Sequence, residues 1–114
     1  MSDPVQLRTA RPAPDVVVLA VFGEIDITTA PDLEEAVTRA LAAPVAHLVV
    51  DLSGVTFFGS PGLATLIRTA DAVDGRGLRL TLVAGQLALR TMALTNTVDL
   101  FTLRDSVEAA LRPN

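Results

Sequence analysis

Hydrophobic and polar positions follow different spacings along the chain, and these changes predict an ordered series of strands and helices. Short apolar runs rich in valine are typical of buried strands, whereas apolar residues three and four positions apart are typical of one helix face. A turn is predicted over Ala10–Asp15, because its two prolines lack N–H donors and fix their backbone angles. Strands are predicted at Val5–Thr9, Val16–Phe22, His47–Leu52 and Leu78–Val83.

Four helices are predicted from apolar spacing and from capping residues. Thr29, with Asp32 three residues later, marks the start of the first helix as an aspartate version of the capping box. The glycines of Gly75–Gly77 mark the end of the second helix. The apolar positions are Ala30, Leu33, Val37, Ala40 and Leu41 in the first helix and Leu63, Leu66, Ile67, Ala70 and Val73 in the second. The third helix is predicted at about Gln86–Thr95. The fourth is capped by Thr102 with Asp105, and its apolar positions are Leu103, Val107, Ala110 and Leu111.

The predicted order of elements, β-β-α-β-α-β-α-(β)-α, indicates an α/β fold. A continuous apolar run such as His47–Leu52 is typical of a strand that is covered on both faces in a parallel sheet. We therefore expect a small, mostly parallel mixed sheet of four to five strands with about four helices packed on it. With 114 residues, the chain is expected to form one domain over residues 1–114.

Composition narrows the class of protein. Hydrophobic residues make up 50% of the chain and no apolar run approaches the roughly 20 residues that span a bilayer, so a protein without membrane insertion is expected. Asp3 and Pro4 stand where a signal peptide needs basic and apolar residues, which favours the cytoplasm. The net charge is −4 and the nine basic residues, all arginine, are dispersed, which argues against a nucleic-acid partner.

The sequence offers little for catalysis. The chain has no cysteine for a thiol nucleophile and no lysine for a phosphate-binding loop. Ser60 lacks the glycine two positions earlier that a nucleophile elbow needs, because Phe58 stands there. The single histidine, His47, lies inside an apolar strand, which favours a structural role. We therefore expect a protein that is not an enzyme and has no cofactor or metal.

Two junctions between a strand and a helix carry the candidate site. In the first, Ser60 is placed as N-cap and Pro61 as the first helical residue, so free N–H groups of the first turn could receive a phosphate or a partner's acceptor groups. The second junction is Gly23–Thr29. Because the carboxyl ends of parallel strands lie at one edge of a sheet, the two junctions could form a single surface.

The residues that precede the first junction are expected to have local structural roles. Asp51 and Ser53 are expected to close a turn with Gly54 through backbone hydrogen bonds. Phe57 and Phe58 are adjacent, so in an extended segment one ring faces inward and the other outward. The outward ring is a candidate contact for a partner.

The residues at both junctions resemble the STAS domain, in particular its small free-standing bacterial members that act as anti-sigma factor antagonists. The resemblance covers essentially the whole chain. It rests on Gly23–Ile27 and on the Asp51–Phe57 segment that leads into Ser60–Leu63. The resemblance implies partner switching, in which the antagonist binds an anti-sigma factor, often a serine kinase, and so frees a sigma factor. The kinase then phosphorylates the antagonist at the start of the second helix, and the added charge expels the partner.

The chain departs from this family at the phosphorylated position. The family's loop usually has aspartate, then two hydroxyl residues, then Gly-Leu. In this chain, Gly59 stands in place of the aspartate and Pro61 in place of the second hydroxyl residue. Three interpretations remain open. The antagonist is locked in its unmodified form, Ser60 accepts the phosphate instead, or the chain binds a partner outside kinase control.

The resemblance implies a binding role with a defined set of contacts. The partner is expected to be an anti-sigma factor of the serine kinase type, and the protein a monomer or weak homodimer. An alternative is a soluble accessory subunit of a transport ATPase or of a stress-signalling assembly, which would use the same face. Nucleotide or lipid binding at the helix terminus lacks the usual basic side chains. The predicted contacts are Asp26, Thr28, Thr29, Phe58, Gly59, Ser60, Pro61, Gly62 and Leu63, with Ser60 the possible phosphoacceptor.

Overall fold

A five-stranded sheet with helices on both faces forms the framework of the protein in a computed structural model, which describes residues 5–112. The strands lie side by side in chain order, with β1 antiparallel to β2 and all other pairs parallel. The predicted mixed, mostly parallel sheet with four helices is therefore confirmed. The strands are β1 (Gln6–Ala13), β2 (Val16–Ile25), β3 (His47–Phe58), β4 (Arg79–Val83) and β5 (Leu103–Arg104), and the helices are α1 (Ala30–Ala42), α2 (Ser60–Gly75), α3 (Gly85–Leu94) and α4 (Val107–Leu111).

Alternate residues of the central strands face two separate cores. On β3, Leu48 and Val50 pack into the main core, which is shared with α1, α2 and α3. Val49 faces the other way and packs with Val83 of β4 and Ala110 of α4. Both faces are apolar because the strand is covered on both sides, as its continuous apolar sequence predicts.

The hairpin at the start of the described chain corrects one predicted turn. The turn expected over Ala10–Asp15 is much shorter, since β1 extends to Ala13 and β2 starts at Val16. Pro12 is tolerated because β1 is an edge strand, and the pairing with β2 is irregular between Ala10 and Ala13. Asp3 and Pro4, which bear on the absence of a signal peptide, lie outside the described residues.

The strand β3 is twice as long as predicted, and the turn expected at Asp51, Ser53 and Gly54 is wrong. The local hydrogen bonds do form, because Asp51 Oδ1 accepts from the Ser53 N–H at 3.0 Å and from its hydroxyl at 2.7 Å. The chain nevertheless stays extended and pairs with β2 as far as Phe58, with two irregularities in register. These irregularities place extra residues on β3 within a continuous ladder.

The last helix starts later than predicted. Leu103 and Arg104 pair with β4 as a fifth strand, so Thr102 and Asp105 do not cap a helix. Ser106 is the N-cap instead, and its hydroxyl accepts from the Ala109 N–H at 3.0 Å. The optional strand of the predicted series is therefore present, and it displaces the helix start by four residues.

Candidate functional site

The two junctions meet at the carboxyl edge of the sheet. Ile25, the last residue of β2, pairs with Phe58, the last residue of β3. The Gly59 N–H donates to the Ile25 carbonyl at 2.9 Å, which joins the two loops directly. The expectation that the two junctions are neighbours is confirmed.

Asp26 organises the loop between β2 and α1. Its Oδ1 accepts from the Thr28 hydroxyl at 2.7 Å, from the Thr28 N–H at 2.9 Å and from the Thr29 N–H at 3.1 Å. These hydrogen bonds, above all that from the Thr28 hydroxyl, lower the pKa of Asp26 below its ordinary value. The loop therefore carries a fixed negative charge next to the exposed Thr28 side chain.

Thr29 is the N-cap residue of α1, as predicted, but its side chain makes no capping hydrogen bond, so the predicted capping box with Asp32 does not form. The Thr29 hydroxyl donates to the Glu24 carbonyl at 2.7 Å and accepts from the Asp26 N–H at 2.9 Å. The first turn of α1 is satisfied instead by the Asp26 carbonyl, which accepts from the Ala30 N–H at 2.8 Å. Thr29 thus fastens the loop to the end of β2.

The start of α2 lies one residue earlier than predicted. Gly59 is the N-cap, Ser60 is the first helical residue, and the Ser60 side chain makes no capping hydrogen bond. The N–H groups of Gly62 and Leu63 donate to the Gly59 carbonyl at 3.1 and 3.3 Å, and Pro61 has no N–H. Within the described chain, Ser60 contributes the one first-turn N–H without a backbone acceptor. This helix terminus is therefore a weaker anion site than the sequence predicts.

Three of the predicted contact residues lie beneath the surface. Phe58 is only 5% exposed and points into the core, whereas Phe57 is 50% exposed, so Phe57 carries the outward ring. Leu63 is also buried, and Gly62 lies so close to Ile25 and Phe58 that a Cβ there would fall within 3 Å of both side chains. Phe58, Gly62 and Leu63 were predicted as surface contacts, but they lie in a buried layer below the site and support it.

The exposed part of the site has a polar centre with apolar neighbours. Ser60 and Thr28 are exposed, while Asp26, Thr29, Gly59 and Pro61 are half-buried. Ile27 is 78% exposed and was missed, although an isoleucine between Asp26 and two threonines is a signal for an outward apolar contact. We define the Ser60 face as Asp26, Ile27, Thr28, Thr29, Phe57, Gly59, Ser60 and Pro61.

The helix α3 borders this face with a second set of exposed apolar residues. The Thr91 hydroxyl donates to the Phe58 carbonyl at 2.9 Å, next to Gly59. Leu87 and Leu94 lie four residues before and three after Thr91, hence on the same side of the helix, and both are exposed. We call Leu87, Thr91 and Leu94 the α3 stripe. The spacing of Leu87, Thr91 and Leu94 is visible in the sequence. Other residues of this apolar helix have the same spacing, so the sequence alone does not single out this stripe.

His47 lies far from the Ser60 face, at the amino end of β3. It is buried, and its Nε2 lies 2.8 Å from the Thr81 hydroxyl oxygen. Burial lowers the pKa of His47 below its ordinary value, and the nearby Arg79 charge lowers it further. This geometry supports the structural role expected for His47.

Residues 5–112 contain neither a metal-ligating cluster nor a membrane-spanning helix. No group of three or more His, Asp or Glu side chains is arranged to hold a metal ion. No helix in this part of the chain is long and apolar enough to cross a membrane. The Ser60 face, with its exposed apolar and polar groups, is suited to binding a protein partner.

Comparison with known proteins identifies related sequences across most of the chain. The family profile of the STAS domain matches residues 8–110. The anti-sigma-F factor antagonist RsfB of Mycobacterium tuberculosis is 41% identical over 97 residues, which cover 81% of this chain and 79% of RsfB. RsfA, another anti-sigma-F factor antagonist of that organism, is 32% identical over 98 residues, covering 83% and 77%. The crystal structure of an anti-sigma factor antagonist from Mycobacterium paratuberculosis superimposes with a TM-score of 0.87 at 34% identity, covering 97% and 96% of the two chains.

Proposed function

The chain belongs to the STAS domain family, and from this premise we propose that it acts as an anti-sigma factor antagonist. It binds an anti-sigma factor and thereby releases a sigma factor for transcription. The observation that carries the proposal is its 41% identity to a named antagonist over four fifths of the chain. The role is one of binding without catalysis, performed in the cytoplasm by a single domain that is a monomer or weak homodimer.

The partner binds at the Ser60 face. Ile27 and Phe57 supply exposed apolar area beside Ser60 and Thr28, and Asp26 adds a fixed negative charge. Apolar side chains around a few polar groups are typical of protein interfaces. The α3 stripe extends the apolar area, because Thr91 is hydrogen-bonded to the strand end beside Gly59.

The anti-sigma factor is of the serine kinase type, and this antagonist stays in its unmodified form. Pro61 stands at the family's usual phosphorylated position and has no hydroxyl. Among the described residues, the Ser60 N–H is the one first-turn group of α2 without a backbone acceptor, so a phosphate there would gain little from the helix terminus. Ser60 is exposed and is the alternative acceptor of the phosphate. In the third interpretation, the chain binds a partner outside kinase control.

The first experiment measures binding to the kinase-type anti-sigma factors of the source genome, with and without ATP. We expect nanomolar to micromolar binding that ATP does not weaken. Ser60→Glu should weaken it at least ten-fold, because a buried unpaired charge at an interface costs several kcal/mol. Thr38→Glu is the matched control, since Thr38 is an exposed position on α1 outside the Ser60 face.

Each outcome separates the interpretations. Mass spectrometry after incubation with kinase and ATP should find Ser60 unmodified. Phosphate on Ser60 would contradict the interpretation that the antagonist stays in its unmodified form. Equal loss of binding in Ser60→Glu and Thr38→Glu would contradict the placement of the interface. Binding to none of the anti-sigma factors would contradict the antagonist role and favour a transport or stress-signalling assembly.

A further inference from the structure

The strand β4 is covered along only part of one edge. β3 pairs with all of Arg79–Val83, whereas β5 pairs only with Leu82 and Val83. The N–H groups of a strand point alternately to its two sides. The Arg79 N–H donates to Ala46 on the β3 side and the Leu82 N–H donates to Thr102 on the other, so the Leu80 N–H and carbonyl point away from β3. β5 does not extend to Leu80, and no loop residue within residues 5–112 donates to or accepts from either Leu80 group.

This open edge forms the floor of a groove of about 450 Å³. One wall is the last two turns of α2, and the other is the chain that enters β5 at Phe101 and Thr102. We call this space the β4 groove. Unpaired backbone groups along an exposed strand edge are a template for an added strand.

The two sides of the β4 groove carry opposite charges. Leu80 faces the main core, so Asp71 and Asp74 of α2 lie on that side of the edge. Neither carboxylate has an ion-pair or hydrogen-bond partner among the described side chains. Arg79 and Arg104 also line the groove, and their strand positions place them on the α4 side.

We propose that the β4 groove binds an extended segment of a partner protein, which adds to the sheet as a strand beside Leu80. The segment has lysine or arginine at every second residue, facing Asp71 and Asp74, with uncharged or acidic residues between them. Its backbone donates to the Leu80 carbonyl and accepts from the Leu80 N–H. A strand's period of two residues would direct alternate side chains to the two charged sides.

This binding site is separate from the Ser60 face and does not depend on the proposed function. Ser60 begins α2 and the β4 groove lies against its C-terminal half, and the 16 residues of that helix span about 24 Å. A partner could therefore occupy both sites at once, and the loss of one would leave the other intact.

The test uses NMR titration of the full chain with two peptides of matched length. The basic probe is Ac-Lys-Thr-Lys-Thr-Lys-NH₂, and the control replaces each lysine with glutamine, because a glutamate peptide shifted by one residue would face Arg79 and Arg104. We expect the basic peptide to shift the Leu80 amide resonance and to slow its hydrogen exchange at lower concentration than the control, with the largest difference at low salt. Equal shifts with both peptides, or shifts confined to other residues, would overturn the proposal.

Charge variants test the wall formed by α2. Asp71→Asn with Asp74→Asn should weaken the basic peptide about five-fold, because each exposed ion pair contributes modestly. Asp32→Asn removes the same kind of charge from α1, outside the β4 groove, and should leave the affinity unchanged. Equal affinities of the double variant and the wild-type chain would contradict the charge pattern.

Backbone variants test the added strand itself. Leu80→Pro removes the outward N–H but leaves the bonds of Arg79 and Thr81 to β3, and proline is tolerated at such edges. Leu80→Ala keeps the N–H and loses a similar amount of side-chain packing. We expect Leu80→Ala to bind the basic peptide and Leu80→Pro to lose it. Equal binding by the two folded variants, or self-association of the chain through this edge, would overturn the proposal. If Leu80→Pro does not fold, the test of the added strand is the hydrogen-exchange rate of the Leu80 amide in the wild-type chain, which the basic peptide should slow.

Discussion

Gly62 lies beneath the Ser60 face, where α2 packs tightly against the core. A Cβ at this position would lie 2.5 Å from Ile25 Cγ2 and 2.9 Å from Phe58 Cε1, and both side chains are buried. Gly62→Ala should therefore lower the free energy of unfolding by about 1–2 kcal/mol, because overpacking outweighs the better helix propensity of alanine. Urea unfolding measures the difference.

Gly75 provides the matched control on the same helix. No heavy atom lies within 4 Å of a Cβ built at Gly75, so Gly75→Ala should be neutral or stabilise the protein by up to about 1 kcal/mol. Equal stabilities of the Gly62→Ala and Gly75→Ala variants would mean that the contact between α2 and the strand ends is looser than described.

Capping residues illustrate what a sequence pattern can and cannot resolve. The spacing of Thr29 and Asp32 satisfies a capping box, yet Thr29 bonds to the end of β2 and Asp26 organises the loop. Several threonine and aspartate side chains compete for the same few N–H groups in such a loop. Their spacing located the helix start correctly, but the choice among them depends on where β2 ends in space.

Besides the apolar packing of α3 on β3, a hydrogen bond from the Thr91 hydroxyl to the Phe58 carbonyl joins this helix to the site. Thr91→Val should lower the free energy of unfolding by about 1–2 kcal/mol, because the half-buried carbonyl loses its donor. Thr91→Ser keeps the hydroxyl and should cost clearly less. Denaturant unfolding of both variants checks this, and a Thr91→Val variant as stable as Thr91→Ser would contradict an anchoring role for the hydrogen bond.

Strand lengths were the least predictable feature of the elements. The order of strands and helices, the parallel sheet and the meeting of the two junctions all follow from apolar periodicity and turn residues. The extension of β3 through Asp51, Ser53 and Gly54 does not, because these residues favour turns locally and are overridden by pairing with β2. Likewise, two-residue β5 is defined by its pairing with β4 and has no periodicity of its own.

The surface of the candidate site was only partly predictable for a related reason. The identity of the loops was evident from Gly23–Thr29 and Gly59–Leu63, but burial depends on which way each side chain points. Phe57 and Phe58 are equivalent in the sequence, and the register with β2 decides that Phe57 faces outward. The α3 stripe borders the Ser60 face because α3 packs against the end of β3.

At the scale of the whole molecule, the Ser60 face and the buried His47 lie at opposite ends of the sheet. The Ser60 face lies at the carboxyl edge, while His47 lies at the amino end of β3, hydrogen-bonded to Thr81 of β4. Protonation of His47 would place a charge in a buried site near Arg79. Protonation of His47 in mild acid should therefore lower the stability of the entire domain, and no histidine lies at the Ser60 face.

The sign of this pH dependence follows from the lowered pKa of His47. The unfolded chain binds the proton with the ordinary pKa of 6.5, whereas the folded chain binds it only at lower pH. Between these values the unfolded state holds more protons, so the free energy of unfolding rises with pH. The contribution of His47 is complete above about pH 6.5 and is lost as the pH falls through the folded value.

His47→Gln tests this dependence, because glutamine can still hydrogen-bond to Thr81 but does not titrate. Urea unfolding at pH 8 and pH 5.5 should show a larger loss of stability for the wild-type chain than for the variant. The carboxylates are common to both proteins, so their titration cancels in the comparison. Parallel pH profiles would mean that His47 is equally protonated in the folded and unfolded states, and hence that its site is open enough to hydrate the imidazolium.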